Sequence, residues 1–272
     1  PYVGQGTIVD TEDGDWYAVI FQDRGGVGRV LTLSPVRWLD GWPMIGDEQG
    51  RVPETMRPLK SGEPTKAIVC SDEFDSRYEV RGTRYANGTS DDSGVEGNLA
   101  PRISHLVPRT SHLASRKGLG LHWQWNHNPI DQAWSLTERP GYLRLKTSRV
   151  VPNLYLAPNT LTQRLEGPTC SGYVCMDLSK MKDGDCAGIS AFNGDSGVLT
   201  VKKRGGKLTL EMSEQSVSLS MSEKAVTQVD EQVVETVELK QPKVWLRIDG
   251  DFNVGRDVAN FYYSRDGERW LT

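Results

Sequence analysis

Residues 119–145 of this 272-residue chain read LGLHWQWNHNPIDQAWSLTERPGYLRL and hold three of its eight tryptophans. Turn-forming residues interrupt the stretch at 126–129 (NHNP) and at Pro140-Gly141. The runs around these turns, 121–125 (LHWQW) and 142–145 (YLRL), alternate large apolar side chains with polar ones. A period of two is typical of strands with one buried face. We therefore expect both runs to be strands of a sheet, and most of the chain that follows repeats their pattern.

Composition and charge exclude two classes of partner. A length of 272 residues is enough to bury a sizeable core and predicts more than one folded unit. The formal net charge is −4 and the sequence pI is about 5.7, whereas nucleic-acid binders concentrate basic side chains on one face. No run approaches the roughly 18 apolar residues that a membrane-spanning helix needs. We expect neither nucleic acid nor a membrane as partner.

The cysteines and histidines do not predict a metal site. None of the four cysteines forms a C-x-x-C pair, and the four histidines do not stand at zinc-ligand spacing around them. We expect the cysteines to pack as small hydrophobic residues in strands. A disulfide between Cys170 and Cys175, or between Cys175 and Cys186, stays open.

The N-terminal part predicts one small antiparallel sheet. Two β-rich runs, 4–11 and 16–22, flank a turn at 12–15 (EDGD) and predict a hairpin. A glycine-rich loop at 24–28 (RGGVG) leads to Arg29 and a third apolar run at 30–33. A single sheet of three or four short strands cannot supply an independent core. We therefore expect it to pack against neighbouring sheets.

The remaining chain predicts a β-sandwich of jelly-roll type, because many short strands are separated by Gly, Asp and Asn turns. The predicted strands are 161–165, 171–178, 187–192, 197–203, 207–212, 233–239, 244–249 and 259–264. The polar segment 212–232 is compatible with strands whose register the pattern leaves open. A Pro-rich connector at 57–64 precedes this part of the chain, and a polar, irregular stretch around 76–118 indicates an insertion on the surface.

Two segments carry a resemblance to a known family. Residues 4–43 (GQGTIVDTEDGDWYAVIFQDRGGVGRVLTLSPVRWLDGWP) resemble the final blade of the five-bladed propeller of glycoside hydrolase family 43, the β-xylosidases and α-L-arabinofuranosidases. Residues 72–74 (DEF), 123–129 (WQWNHNP) and 134–145 (WSLTERPGYLRL) resemble the start of the β-sandwich that follows it. The resemblance implies an all-β fold, with the last blade or blades of a propeller over residues 1–65 and a jelly-roll-like sandwich over 66–272.

The resemblance also implies an activity. It predicts the C-terminal portion of an inverting glycosidase that hydrolyses arabinofuranosyl or xylosyl linkages in arabinoxylan or xylo-oligosaccharides of the plant cell wall. Such enzymes hold two carboxyl groups roughly 6.5–9.5 Å apart so that a water fits between them. The family's catalytic carboxylates lie on earlier blades, so we assign no catalytic residue here and expect the chain alone to be inactive. The remaining propeller blades are the expected partner within the same protein.

Three residues are candidates for substrate binding. Arg29 matches the family arginine that reaches into the sugar pocket, although an arginine beside a loop can also be a plain surface residue. Gln5 stands where many relatives carry a histidine on the propeller axis, and the alternative is simple loop packing. An amide oxygen can bind calcium, so a calcium ion at the axis stays open. Phe192, in the loop 192–195 (FNGD), is a candidate contributor to the sandwich loop that covers the propeller mouth in related enzymes.

The alternative function is a noncatalytic carbohydrate-binding β-sandwich protein. In it, Trp123 and Trp125 would stack on sugar rings, although the same alternation is typical of a core face. The hairpin that begins in residues 261–272 has hardly any returning strand, so we expect the native chain to continue beyond it. The compartment stays open, with a secreted or periplasmic location favoured over a cytoplasmic one.

Overall fold

The computed structural model describes residues 3–53, 56, 68–74, 118–220 and 225–272. Their regular structure consists of fifteen strands and three short 3₁₀ helices, and none of these helices is long and apolar enough to cross a bilayer. Two compact units form, Pro1–Lys66 together with Leu165–Thr272, and Ala67–Arg164. The predicted insertion around 76–118 lies outside the described residues apart from Gly118. The domain boundary between residues 65 and 66 stays a prediction.

The first sheet is a four-stranded antiparallel meander of β1 (Val3–Asp10), β2 (Trp16–Asp23), β3 (Arg29–Leu39) and β4 (Trp42–Ile45). The predicted hairpin is confirmed, with Thr7 opposite Val19. Asp40 and Gly41 both have positive φ and form the two-residue turn that pairs Leu39 with Trp42, which suits a tight hairpin. A four-stranded antiparallel sheet is compatible with a propeller blade. That it belongs to a five-bladed propeller stays a prediction.

We call this four-stranded sheet the blade. Its two faces differ in burial. On one face Ala18, Ile20 and Val36 are buried and pack with Trp16 and Val52. The other face exposes large apolar side chains on β3 and β4, among them Leu31 at 72% and Trp42 at 74% of their surface. The blade therefore has a small core on one side and an uncovered apolar surface on the other, as expected for a sheet that packs against a neighbour.

The described residues of the unit Ala67–Arg164 form short strands only. They are β5 (Gln124–Trp125), β6 (Trp134–Ser135), β7 (Arg144–Leu145) and β8 (Leu161–Thr162), with 3₁₀ helices at Asp131–Ala133 and Leu154–Leu156. The strand β5 pairs with β8, and β6 pairs with β7.

The prediction of strands over the whole of 121–125 and 142–145 was wrong. Residues 121 and 122 form a turn, closed by the backbone N–H of Trp123 donating to the carbonyl of Gly120 at 3.1 Å. A side chain on Gly120 would collide with the ring of His122, so glycine permits this turn. The predicted strand 161–165 is likewise reduced to Leu161–Thr162. Local turns compete here with the alternating pattern.

The sandwich has two antiparallel sheets. One contains β10 (Cys186–Ala191), β11 (Asp195–Arg204), β12 (Lys207–Ser220) and β13 (Ala225–Leu239), in that order. The other has the order β15 (Val258–Ser264), β14 (Lys243–Asp251), β9 (Thr169–Asp177). Side chains of both sheets form one core: Leu178, Leu199, Val201, Leu210, Leu239, Val244, Leu246 and Tyr263. The predicted sandwich strands from residue 171 onward are confirmed.

The segment whose register the sequence left open becomes a long hairpin. Its strands β12 and β13 pair from Leu208 with Leu239 to Ser220 with Ala225. The register shifts between Met212 and Ser213 and again between Ser218 and Leu219. Such irregularities change which side chains face the core, so alternation alone could not predict the pairing.

All four cysteines lie in the described part of the chain, and none of them forms a disulfide. The open alternatives of a disulfide between Cys170 and Cys175 or between Cys175 and Cys186 therefore do not apply. Three of the four are partly buried, as small hydrophobic residues would be, while Cys186 is exposed. Although the residue as a whole is exposed, partial desolvation of its thiol raises the pKa of Cys186.

Candidate functional site

The glycine-rich loop between β2 and β3 sets the position of Arg29. It contains a 3₁₀ turn at Gly25–Val27, and Gly25 and Gly28 both have positive φ. The backbone N–H of Gly28 donates to the carbonyl of Gly25 at 2.8 Å, and that of Gly25 donates to Asp23 Oδ1 at 3.1 Å. This compact turn returns the chain so that Arg29 lies opposite Asp23 as the first residue of β3.

The guanidinium of Arg29 is exposed and lies over an aromatic ring. Its Cζ atom is 4.6 Å from the centroid of the Phe21 ring. No carboxylate among the described residues forms an ion pair with it, so its N–H donors are available to a ligand. Contact with the ring contributes only about 0.5–1 kcal/mol at an exposed site, enough to favour one orientation without burying the charge.

Gln5 lies at the same end of the blade as Arg29. It is exposed on β1, at the bulge where the pairing shifts between Val3 and Gly6. Its neighbour Gly4 packs on the Phe21 ring, where a Cβ atom would come within 2.6 Å of Cζ. Phe21 therefore contacts both Arg29 and Gly4, the residue before Gln5. The structure brings two of the three predicted site residues to one end of the sheet.

The glycines of the loop approach the sandwich, which the sequence did not predict. The backbone N–H of Gly26 donates to Asp257 Oδ1 at 2.9 Å. A Cβ atom on Gly25 would lie 2.2 Å from Asp257 Oδ2, and one on Gly26 would lie 3.0 Å from the ring of Phe252. We call this contact of Gly25 and Gly26 with Phe252 and Asp257 the loop latch. Here the glycines allow close approach to protein rather than to a ligand.

The sandwich side of the loop latch is itself held by hydrogen bonds. The backbone N–H of Phe252 donates to the carbonyl of Pro168 at 2.7 Å. The side chain and backbone N–H of Asn253 donate to Asp251, which lowers the pKa of that carboxyl. Asp257 has a φ of 43°, a conformation that Asp adopts more readily than most residues. Because this turn is ordered by its own contacts, it can restrain the loop that carries Arg29.

Phe192 lies at the sandwich end that holds the loop latch. It follows β10 and is partly buried, and its loop closes through the Ser196 hydroxyl, which accepts from the N–H of Asn193 and donates to its carbonyl. Gly197 packs under the ring of Phe261, the middle residue of β15. At the far end of the sheet, Lys203 Nζ donates to the carbonyl of Met181. The order of these contacts places the Phe192 loop on the same side as the turn 252–257.

Trp123 and Trp125 have packing roles in the unit Ala67–Arg164. The indole N–H of Trp123 donates to Asp72 Oδ2 at 2.8 Å, and its ring stacks on Phe74 at 5.6 Å. Trp125 lies 5.3 Å from the ring of Trp134, which is only 3% exposed. These contacts favour the core interpretation of both tryptophans over sugar stacking.

Comparison with known protein families matches residues 114–272 to GH43_C2, described as the β-xylosidase C-terminal concanavalin A-like domain. The chain belongs to the GH43_C2 family. The match covers more than half of the chain, and it confirms the resemblance to GH43 that the sequence motifs indicated.

Xylosidases, arabinofuranosidases and a solved GH43 structure are similar to the chain beyond this domain. A β-xylosidase of Formosa agariphila is 30% identical over 228 residues, which cover 73% of this chain and 32% of the relative. A non-reducing end α-L-arabinofuranosidase of Bacteroides ovatus is 28% identical and matches 54% of this chain and 22% of its own length. A bifunctional GH43-CE protein of Bacteroides eggerthii has a solved structure with 37% identity and a TM-score of 0.71, covering 99% of this chain and 29% of its own. The chain thus spans between 22% and 34% of the length of the curated relatives it matches.

Proposed function

We propose that this chain is the C-terminal portion of a GH43 glycoside hydrolase that hydrolyses xylosyl or arabinofuranosyl linkages in arabinoxylan or xylo-oligosaccharides. The observation that carries the proposal is the likeness of nearly the whole chain, blade and sandwich together, to a solved GH43 structure. Hydrolysis with inversion needs an acid and a base on opposite sides of the sugar. We propose that these carboxylates come from a part of the protein outside this chain, so that the chain contributes binding and no catalytic residue.

Arg29 and Gln5 are the proposed substrate-binding residues of the blade. The guanidinium can donate to sugar hydroxyls, and its positive charge would favour the ionised form of a carboxylate brought close to it. The Gln5 amide can both donate and accept. The loop latch would keep Arg29 in place, because the turn before it is hydrogen-bonded to Asp257. Phe192 is proposed as a contributor from the sandwich loop at that end.

The uncovered face of the blade supports the proposal that further propeller blades of the same protein pack there. Leu31 and Trp42 are mostly exposed on this face, and an apolar surface of this kind is typical of a sheet that has a neighbour. The plant cell-wall polysaccharide is then the partner of the assembled propeller. A secreted or periplasmic location is consistent with such a substrate and stays a proposal.

A calcium ion at the propeller axis would need ligands from elsewhere. Calcium takes six to eight oxygen ligands, of which Gln5 could supply one. In the described part of the chain, no group of three or more His, Cys, Asp or Glu side chains could hold a metal ion. The residues present do not fit a complete site, and no step of the proposed function depends on one.

The proposal is tested by hydrolysis of an aryl β-xyloside and an aryl α-arabinofuranoside. In the full-length protein, Arg29→Ala should lower kcat/KM by roughly tenfold to hundredfold, the loss expected for a charged hydrogen-bond donor to substrate. Arg24→Ala, in the same loop and also exposed, is the matched control and should leave kcat/KM unchanged. The 272-residue chain alone should release no aryl alcohol. Turnover by the chain alone would contradict the placement of the acids, and xylan binding without hydrolysis by the full-length protein would favour the noncatalytic alternative.

A further inference from the structure

The outer face of the three-stranded sheet of the sandwich carries aromatic side chains. Along β14, the core residues Val244 and Leu246 alternate with Arg247 and Asp249, which therefore lie on the outer face. The cross-strand neighbours of Arg247 are Tyr173 on β9 and Tyr262 on β15. Neighbours across a sheet share a face, so two tyrosines flank one arginine there.

A tryptophan from the end of the chain joins this face. The turn after β15 brings Leu271 into a backbone pair with Tyr263, with both N–H···O distances at 2.9 Å. The preceding residue, Trp270, lies with its ring centroid 5.6 Å from the Arg247 guanidinium and 6.4 Å from the ring of Tyr173. Tyr262 is 5.7 Å from the same guanidinium. We call Tyr173, Arg247, Tyr262 and Trp270 the aromatic platform.

The charge of the aromatic platform is already compensated. Arg247 forms two hydrogen bonds to Asp249, from Nε to Oδ1 at 2.7 Å and from the terminal nitrogen to Oδ2 at 2.8 Å. Such a bidentate pair fixes the orientation of the guanidinium and compensates its charge, so Arg247 does not act as a free cation for an anionic ligand. The surface therefore suits an uncharged ligand that brings hydroxyl groups and an apolar face.

The exposure of Tyr173 indicates that the aromatic platform is accessible. This side chain keeps 70% of its surface exposed in the middle of a strand, while tyrosine is usually at least half covered in folded proteins. Large rigid rings with polar rims bind ligands at a low cost in conformational entropy. The guanidinium of Arg247, paired with Asp249, lies over the rings of Tyr262 and Trp270. The surface therefore combines aromatic rings with a few polar groups, as many ligand sites do.

We propose that the aromatic platform is a binding site for a xylan chain, with pyranose rings stacking on Tyr173 and Trp270 and their hydroxyls bonding to Asp249 and the free N–H groups of Arg247. The choice of xylan among uncharged polysaccharides rests on the proposed function. The site uses none of the residues assigned to Arg29 and its surroundings. Its role would be to hold the polysaccharide on the sandwich.

The test is affinity electrophoresis of the 272-residue chain in gels that contain soluble arabinoxylan. Xylan should retard the wild type, and Tyr173→Ala should weaken binding by about tenfold, whereas Tyr173→Phe should keep most of it because the stacking ring remains. Trp42→Ala is the matched control, because Trp42 is an equally exposed aromatic on the blade. It should bind as the wild type does.

Each contrary outcome has a distinct meaning. No retardation of the wild type, or equal retardation of wild type and Tyr173→Ala, would overturn the site. Equal retardation by an anionic polysaccharide such as polygalacturonate would overturn the argument from compensated charge. In the full-length protein, Tyr173→Ala should weaken xylan binding and leave aryl-xyloside hydrolysis unchanged. If the full-length protein hydrolyses the aryl xyloside but does not bind xylan through Tyr173, the site is wrong and the proposed function stands. If xylan binding depends on Tyr173 but no hydrolysis is found, the site stands and the proposed function is wrong.

Discussion

Two separate constraints, one on the backbone and one on space, favour glycine at position 25. Its φ of 58° lies in the left-handed region, and a Cβ atom there would lie 2.2 Å from the Asp257 carboxylate. Gly205, in the turn between β11 and β12, has a φ of 57°, but nothing lies within 4 Å of the position of its Cβ atom. The pair therefore separates backbone strain from the contact with the sandwich.

We predict that Gly25→Ala lowers stability more than Gly205→Ala does. Both variants carry a left-handed alanine, which costs about 1–2 kcal/mol, but only Gly25→Ala also displaces Asp257 from the loop latch. Thermal unfolding of the two variants and the wild type measures the difference. Equal unfolding temperatures for the two variants would mean that the loop latch adds nothing to stability.

The turn that ends β15 is organised by one carboxylate. Asp266 Oδ1 accepts from the backbone N–H groups of Arg269 and Glu268, at 2.8 and 2.9 Å, and from the Ser264 hydroxyl at 2.9 Å. The backbone hydrogen bonds from Arg269 and Glu268, in that order, lower the pKa of Asp266 from 3.8 to about 2. This turn brings Trp270 onto the aromatic platform, so the charge state of Asp266 affects that element directly.

The lowered pKa predicts an acid-dependent loss of stability. Because the folded pKa lies below the unfolded one, the contribution of Asp266 is complete above pH 4 and decreases as the pH falls towards about 2. Asp266→Asn keeps an acceptor oxygen and removes the titration, so its stability should change less than that of the wild type between pH 4 and pH 2. Urea unfolding at pH 5, 3 and 2 tests this. Parallel pH dependence in both proteins would exclude a role for this carboxyl.

The uncovered apolar face of the blade is where we expect the rest of the protein to pack. In the 272-residue chain Leu31 contacts water, whereas the proposed full-length enzyme would cover it with another blade. A charge at this position should therefore destabilise the full-length protein and leave the stability of the 272-residue chain unchanged. The reason is that burying an unpaired charge is costly, whereas exposing one is not.

We predict that Leu31→Glu reduces self-association of the 272-residue chain without lowering its unfolding temperature. In the full-length protein the same substitution should lower the unfolding temperature. Sedimentation velocity and thermal unfolding make the two measurements. Leu121→Glu, at a position that is also strongly exposed, is the control and should affect neither protein. Unchanged stability of the full-length Leu31→Glu variant would argue against a covering blade.

Most strands of the blade and of the sandwich followed from local pattern, whereas the order β15, β14, β9 in one sandwich sheet did not. Alternating apolar residues bounded by Gly and Asp turns predict hairpins, and hairpin partners are close in sequence, so Thr7 and Val19 or Leu199 and Met212 could be placed by period and turn chemistry. The same reasoning failed at residues 121–125. There a turn at Gly120 and the hydrogen bond from the Trp123 indole to Asp72 replace the strand that the alternating pattern predicts.

The candidate site shows the same division. The sequence shows that Arg29 follows a glycine-rich loop. The same stretch carries the family resemblance that made Arg29 a candidate. Asp257, which holds that loop, lies 231 residues from Gly26, and Tyr173 meets Trp270 only after β9, β14 and β15 have paired. Local pattern carries information about neighbours along the chain, because period and turn chemistry act over a few residues. Contacts between distant segments depend on packing across sheets, and only the folded chain brings those side chains together.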